Sequence, residues 1–285
     1  MKEKRIENIL SDFCRFLMEQ ERCLSTAEKY MRDVRNFLNW QKNVCKKDNP
    51  LCRQQVIDWK EVLLEKKYAP VTINSMLSSV NSFLVFLGRE DCRVKLLRIQ
   101  KKVFREKEKE LTRKEYEKLL EAARRQEKQR LQLLMECIGN TGIRVSEVKY
   151  ITVEAAKAGR ADISLKGKVR TILIQKKLCR RLLEYAKKRK IRTGCIFLTR
   201  TGKELSRKQI WKEMKSLCRT SGVMPEKVFP HNLRHLFAVT FYRVGRDIVK
   251  LADVLGHSSI ETTRIYLLTT GDEHRRQMEK MCMLI

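Results

Sequence analysis

The chain has 285 residues, 63 of them Lys or Arg against 34 Asp or Glu, for a net charge of +29. Its 42% hydrophobic and 34% charged residues fit a folded chain long enough for two domains and exclude disorder as the default. No apolar run approaches the ~18 residues of a spanning helix, and MKEKRIENIL holds no uninterrupted apolar segment for a signal peptide, so a cytoplasmic protein without membrane contact is expected.

Four helices are predicted over residues 1–98. Ile6, Ile9, Leu10, Phe13 and Leu17 recur at the helical period, as do Ala27, Tyr30, Met31, Val34, Phe37 and Leu38. Ser25 and Glu28 form a capping box for the second helix, behind Leu24. The third is expected over 53–67, and the fourth carries Ile73, Met76, Leu77, Val80, Phe83, Leu84 and Leu87 between Pro70 and a stop at Gly88. Residues 99–110, IQKKVFREKEKE, have no sustained apolar period and read as a basic linker.

A second domain over 111–285 opens with Leu111 as staple, Thr112 as cap and Glu115 closing the box. After two helices, ADISL and VRTILI alternate around a KGK turn, which predicts a hairpin, and CIFLT at 195–199 is a candidate third strand. Beyond Ser206, boxed by Gln209, the pattern is helical to the end. The expected fold class is mainly α with a small β-sheet in the C-terminal domain.

An excess of cations this large points to a polyanion, because Lys and Arg that displace condensed counterions from phosphates gain affinity. The ten cysteines include no C-x2-C or C-x4-C pair, and most sit in apolar helical stripes, so reduced core thiols are expected rather than disulfides or zinc.

The segment HNLRH sets His231 and His235 four residues apart, the spacing that holds zinc in H-E-x-x-H. Asn232 stands where such a zinc enzyme carries its general base, and Arg234 puts a fixed positive charge beside any cation, so no metal is expected. Downstream, IVKLADVLG delivers His257, and a helix capped near Ser258 presents Tyr266. Upstream, TGIRVSEV places Arg144 after a Thr-Gly turn with Glu147 one helical turn later, and Lys166 lies at the hairpin tip. Taken singly, Arg144 and Lys166 read as surface residues, and Tyr266, flanked by Ile265 and Leu267, as a core aromatic.

The ordered set Arg, Lys, His-x-x-Arg, His, Tyr resembles the tyrosine recombinase (phage integrase) family. TGIRVSE matches its first box, HNLRH its H-x-L-R-H box, and LGHSSIETTRIY its L-G-H followed by the nucleophilic tyrosine nine residues on. The resemblance covers the whole chain. It implies a SAM-like core-binding domain over 1–98, a catalytic domain over 111–285 and a tail, 268–285, that docks on another subunit. An Xer-like two-domain enzyme without a further arm-binding domain is expected, working on double-stranded DNA as a tetramer that pairs two sites.

The chemistry asks for these residue types independently. Breaking a phosphodiester without a metal needs cations spread over the nonbridging oxygens, which planar guanidiniums supply bidentately; Arg144 and Arg234 fit. A tyrosine hydroxyl must lose its proton on attack, and His231 can accept it. The 5′-oxygen leaves poorly unless protonated, and Lys166 on a hairpin tip can reach it, with Lys168 as the alternative. His257 would donate to a phosphate oxygen, Glu147 would hold Arg144, and His235 would be mostly structural. The resemblance implies a 3′-phosphotyrosine at Tyr266 and a free 5′-hydroxyl, with no cofactor, metal or ATP. A type IB topoisomerase uses a similar set, and a DNA-binding regulator with a degenerate site is the non-enzymatic alternative; the complete set of six argues against the regulator, and the apolar tail MEKMCMLI against the topoisomerase.

Overall fold

In the computed structural model, residues 2–44, 51–99, 110–165, 168–266 and 279–280 are described. The expected linker therefore lies outside the described residues except for Ile99 and Glu110, as do Lys166 and most of the tail. The chain divides into two compact units, Met1–Lys101 and Lys102–Ile285. The architecture is mainly helical with a small two-stranded sheet.

In the first unit, α1 spans Lys2–Glu19, α2 Leu24–Val44, α3 Arg53–Glu65 and α4 Pro70–Phe86. Their apolar stripes meet as the periodicity dictates. Leu10, Phe13 and Leu17 of α1 bury against Ala27, Val34 and Phe83, with Phe13 edge-on to Phe83 at 5.2 Å between ring centroids. A second cluster gathers Phe37, Trp59, Leu77 and Leu84. Proline suits the first turn of α4, because its missing N–H would have no partner there.

Two details depart from the sequence expectations. Helix α2 is already helical at Leu24, and Ala27 N donates to Cys23 O, so the helix starts ahead of Ser25 and the Ser25–Glu28 pair is not its cap. Helix α3 stops at Glu65, because Lys67 adopts a left-handed φ of 55°. Beyond α4, a short 3-10 turn at Glu90–Cys92 leads into an extended segment held against α4 by two asparagines. Asn81 exchanges bonds with Val94, and Asn74 with Leu97, each satisfying both backbone groups of its partner.

The second unit begins as expected: Thr112 accepts from Glu115 N, and the Glu115 carboxylate accepts from Thr112 N, capping α5, Arg113–Arg125. Helix α6, Gln129–Thr141, is buried on more than one face, with Leu131, Leu133, Leu134, Met135, Cys137 and Ile138 all inside. It is the axis of the unit, and α11 packs on it. Helix α7, Val153–Ala158, precedes the hairpin of β1, Arg160–Leu165, and β2, Lys168–Leu173. The strands pair antiparallel from Arg160↔Leu173 to Leu165↔Lys168, so Lys168 belongs to the strand. Helix α8, Lys176–Lys188, and α9, Arg207–Lys215, follow, the latter capped by the Ser206–Gln209 box.

The CIFLT segment is not a third strand. Cys195 makes an isolated bridge with Thr152 and Leu198 one with Glu204, away from the hairpin. Ile196 and Phe197 are both fully buried, which strand alternation against one core does not allow. Then follow α10, Cys218–Ser221, α11, Pro230–Gly245, α12, Ile248–Leu255, and α13, Ile260–Arg264. None of the eight described cysteines is joined in a disulfide, and burial pushes the Cys137 thiol up to about 12.

Candidate active site

Three backbone devices gather the site. Helix α6 ends at Gly142 in a left-handed turn, which throws Arg144 out at the start of a 3-10 turn, Val145–Tyr150. Helix α11 starts with Pro230 and puts His231, Arg234 and His235 on one face at i, i+3 and i+4. Helix α12 ends at Gly256, φ 62°, so the chain reverses and presents His257; α13, capped by Ser259 rather than Ser258, then carries Tyr266 just past its end.

Arg234 is the anchor, only 2% exposed. Its Nη1 donates to Gly142 O, and its Nη2 donates to Leu255 O at 2.8 Å and to His257 Nε2 at 2.9 Å. Burial, then repulsion from Arg144, lowers its pKa to about 10, while a hydrogen bond to the Tyr266 hydroxyl pulls the other way; it stays a cation at neutral pH. Because a guanidinium can only donate, His257 Nε2 must be the acceptor, which leaves the proton on Nδ1 to be donated to Thr263 Oγ1, 2.9 Å away. Burial first, then the charges of Arg234, Arg144, Arg170 and His231, push His257 down to about 4, in keeping with a neutral ring.

Arg144 is held by the buried Glu147 on two sides: Arg144 Nη1 donates to Oε1 at 3.0 Å, and Arg144 N donates to Oε2 at 2.9 Å. Its Nη2 reaches Gly256 O only at 3.4 Å, and its side chain is 39% exposed, so the outer edge of the fork faces solvent. Tyr266 is 3% exposed and packs with Ala238, Leu251 and Leu255, as the core reading of this ring expects. Three imidazoles surround it, with centroids at 5.3 Å for His235, 5.9 Å for His257 and 6.1 Å for His231. His231 stands at the surface, and partial desolvation, then repulsion from Arg234 and Arg144, holds its pKa below the usual histidine range.

The structure thus brings together Arg144, Glu147, His231, Arg234, His235, His257 and Tyr266. Lys166 lies outside the described residues; Lys168 is the first residue of β2. Two further participants were not singled out in the sequence. Arg170 donates to Glu147 Oε2 and to Leu255 O, and Thr263, fully buried, accepts a hydrogen bond from His257 Nδ1. A signal for Arg170 exists: it falls in phase with the buried Ile172 of β2 and Ile174 just past its end, on a face where a cation is out of place unless paired. Nothing local separates Thr263 from its neighbour Thr262. Among the described residues no group of three or more His, Cys, Asp or Glu is placed to hold a metal ion.

Two guanidiniums, three imidazoles and a tyrosine are thus gathered in one part of the second unit, and paired guanidiniums are suited to stabilising charge on a phosphoryl group. The profile of the phage integrase family matches residues 109–271, and that of the phage integrase N-terminal SAM-like domain residues 10–91. The chain belongs to the phage integrase family, the tyrosine recombinases. It is 28% identical over 294 residues to tyrosine recombinase XerA of Pyrococcus furiosus, covering 100% of this chain and 98% of the relative. It is 33% identical over 221 residues to tyrosine recombinase XerC of Roseiflexus castenholzii, covering 72% and 70%. The fold is shared with XerH recombinase bound to its difH substrate, at TM-score 0.67 and 19% identity over 94% of this chain and 82% of the other. It is shared also with the Tn1549 transposon integrase in complex with transposon right end DNA, at TM-score 0.71 and 17% identity over 95% and 98%.

Proposed function

We propose that this chain is a site-specific DNA recombinase that cleaves and rejoins duplex DNA through a 3′-phosphotyrosine at Tyr266. The observation that carries the reading is the gathering of His231, His257 and Arg234 about Tyr266, with Arg144 held by Glu147 and reaching Gly256 O beside His257. The Tyr266 oxygen attacks the scissile phosphorus, the P–O5′ bond breaks, His231 takes the phenolic proton, and a hairpin lysine, Lys166 or Lys168, gives a proton to the departing 5′-oxygen. Arg144 and Arg234 neutralise the nonbridging oxygens as charge builds. His257 joins them when an arriving phosphate competes for the Arg234 fork: the neutral ring shifts to its Nε2–H tautomer and donates to a phosphate oxygen, while Nδ1 accepts from the Thr263 hydroxyl. Because the phosphotyrosine conserves the phosphodiester energy, a 5′-hydroxyl from a second site reverses the step onto a new partner with no metal or ATP.

The helical unit, 1–98, contacts DNA together with the linker, 99–110, and the catalytic unit, 111–285, in the cytoplasm. The tail, 268–285, docks on a neighbouring subunit in a tetramer on two DNA sites. No described helix is long and apolar enough to cross a membrane. The reading is tested with plasmids carrying paired candidate sites from DNA flanking the gene, incubated in EDTA without nucleotide. Exchange between sites is expected. Relaxation of supercoils without exchange, or activity lost in EDTA and restored by zinc, would overturn it. Lys166→Ala should cleave an ordinary phosphodiester roughly 10²- to 10⁴-fold slower and recover on a 5′-bridging sulfur substrate, whose leaving group needs no proton; recovery of Lys168→Ala instead moves the acid to Lys168.

A further inference from the structure

Arg170 is a cation on the buried face of a strand, with a side chain only 13% exposed. Burial lowers its pKa while the Glu147 charge raises it, so it is the pairing that keeps the cation inside. Its two terminal nitrogens end on groups already in use by the two guanidiniums of the site. Nη2 donates to Glu147 Oε2, and the other oxygen of that carboxylate holds Arg144 at 3.0 Å. Nη1 donates to Leu255 O, the carbonyl that also takes Arg234 Nη2 at 2.8 Å.

Both ends of the Arg170 fork are thus engaged by protein acceptors, whereas the outer edge of Arg144 is open. The passage of Arg170 over the end of α12 is built in: a Cβ on Gly256 would stand 2.7 Å from Arg170 Nη1. We propose that Arg170 is a positioning residue that fastens β2 both to the carboxylate orienting Arg144 and to the carbonyl anchoring Arg234, and so sets the spacing of the two phosphate-binding guanidiniums. This rests on the phosphate-binding role given to Arg144 and Arg234 above. The planar fork matters, because one guanidinium holds two acceptors from different elements in fixed geometry, which a single ammonium cannot.

The test is single-turnover cleavage of a nicked suicide duplex whose site is selected from random-sequence DNA by the purified chain. Wild type, Arg144→Ala, Arg170→Met and Arg170→Lys are compared on three substrates: the ordinary phosphodiester, a methylphosphonate lacking one charged nonbridging oxygen, and a 5′-bridging sulfur substrate. Arg170→Met should bind DNA within a few-fold of wild type and cleave the phosphodiester about 10- to 100-fold slower, the usual loss when an orienting partner is removed. The deficit should shrink on the methylphosphonate, as for Arg144→Ala, and stay on the sulfur substrate, with Arg170→Lys intermediate. A wild-type rate, an equal deficit on all three substrates, or recovery on sulfur alone would overturn the proposal. Should Arg170→Met fail to unfold cooperatively, Arg170→Lys carries the same comparison. Absence of any covalent product from the wild-type chain overturns the phosphate-binding reading itself, and the role of Arg170 with it.

Discussion

Gly256→Ala separates backbone strain from the displacement of Arg170. Gly256 has φ 62°, and a left-handed residue costs a non-glycine side chain roughly 1–2 kcal/mol. The new methyl would also crowd Arg170 Cδ most closely and stand 2.7 Å from Nη1, so the side chain must shift and its guanidinium leave Glu147 or Leu255 O. Losing a hydrogen bond to a charged group costs about 1.5–3 kcal/mol more. The sum, about 2.5–5 kcal/mol, lowers the melting temperature of a domain of this size by about 5–20 °C. Gly222→Ala is the internal control, because Gly222 has φ 65° with nothing within 4 Å of the added Cβ. It should lose only the backbone part, about 2–8 °C. In thermal unfolding followed by circular dichroism, Gly256→Ala should fall below Gly222→Ala, and the gap should close when both are made in an Arg170→Ala background, which removes every atom the new methyl would meet. Equal losses at the two glycines would refute the packing of Arg170 over this turn.

Thr263→Val removes the acceptor of the His257 Nδ1 proton; ¹⁵N NMR of the free protein should show the Nδ1–H form giving way to a mixture, and cleavage should fall about 10-fold. Thr263→Ser should keep both, and an unchanged tautomer in Thr263→Val would remove Thr263 from this role. Stability should also depend on pH through His257: the unfolded ring titrates near 6.5 and the folded one near 4, so as pH falls the unfolded chain takes the proton first. The contribution of a neutral His257 is complete above about 6.5, erodes as pH falls and levels off near 4. Unfolding midpoints between about pH 6.5 and 5, above the range where carboxylates such as Glu115 lose their stabilising charge, should decline less in His257→Gln; an identical slope would contradict the assignment.

The parts of the fold that were legible in the sequence are those specified by neighbours along the chain. The Thr112–Glu115 and Ser206–Gln209 boxes and the glycine stop at Gly256 depend on residues within a turn of one another. The stripes of α1 and α4 need only a period. The ordered boxes around Arg144, HNLRH and Tyr266 stood out because chemistry-bearing residues recur at fixed separations. Illegible were features set by distant partners. Asn74 and Asn81 hold backbone 23 and 13 residues away, and Arg170 reaches a carboxylate 23 residues upstream and a carbonyl 85 residues downstream. CIFLT has strand composition, yet Ile196 and Phe197 are both drawn inside because the segment is pinned to Ile151 and Thr152 rather than laid beside the hairpin. Ser25 failed as a cap because Cys23 already supplies the first helical carbonyl.

The most direct test of Tyr266 as nucleophile is to locate the covalent bond. A nicked suicide duplex incubated with the wild-type chain in EDTA should give a protein–DNA band that survives denaturation, and mass spectrometry of its peptides should place the nucleotide remnant on Tyr266. Tyr266→Phe should bind the same duplex within a few-fold and give no such band, since only the attacking oxygen is lost. A band that persists in Tyr266→Phe, or a remnant on any other residue, would contradict the assignment.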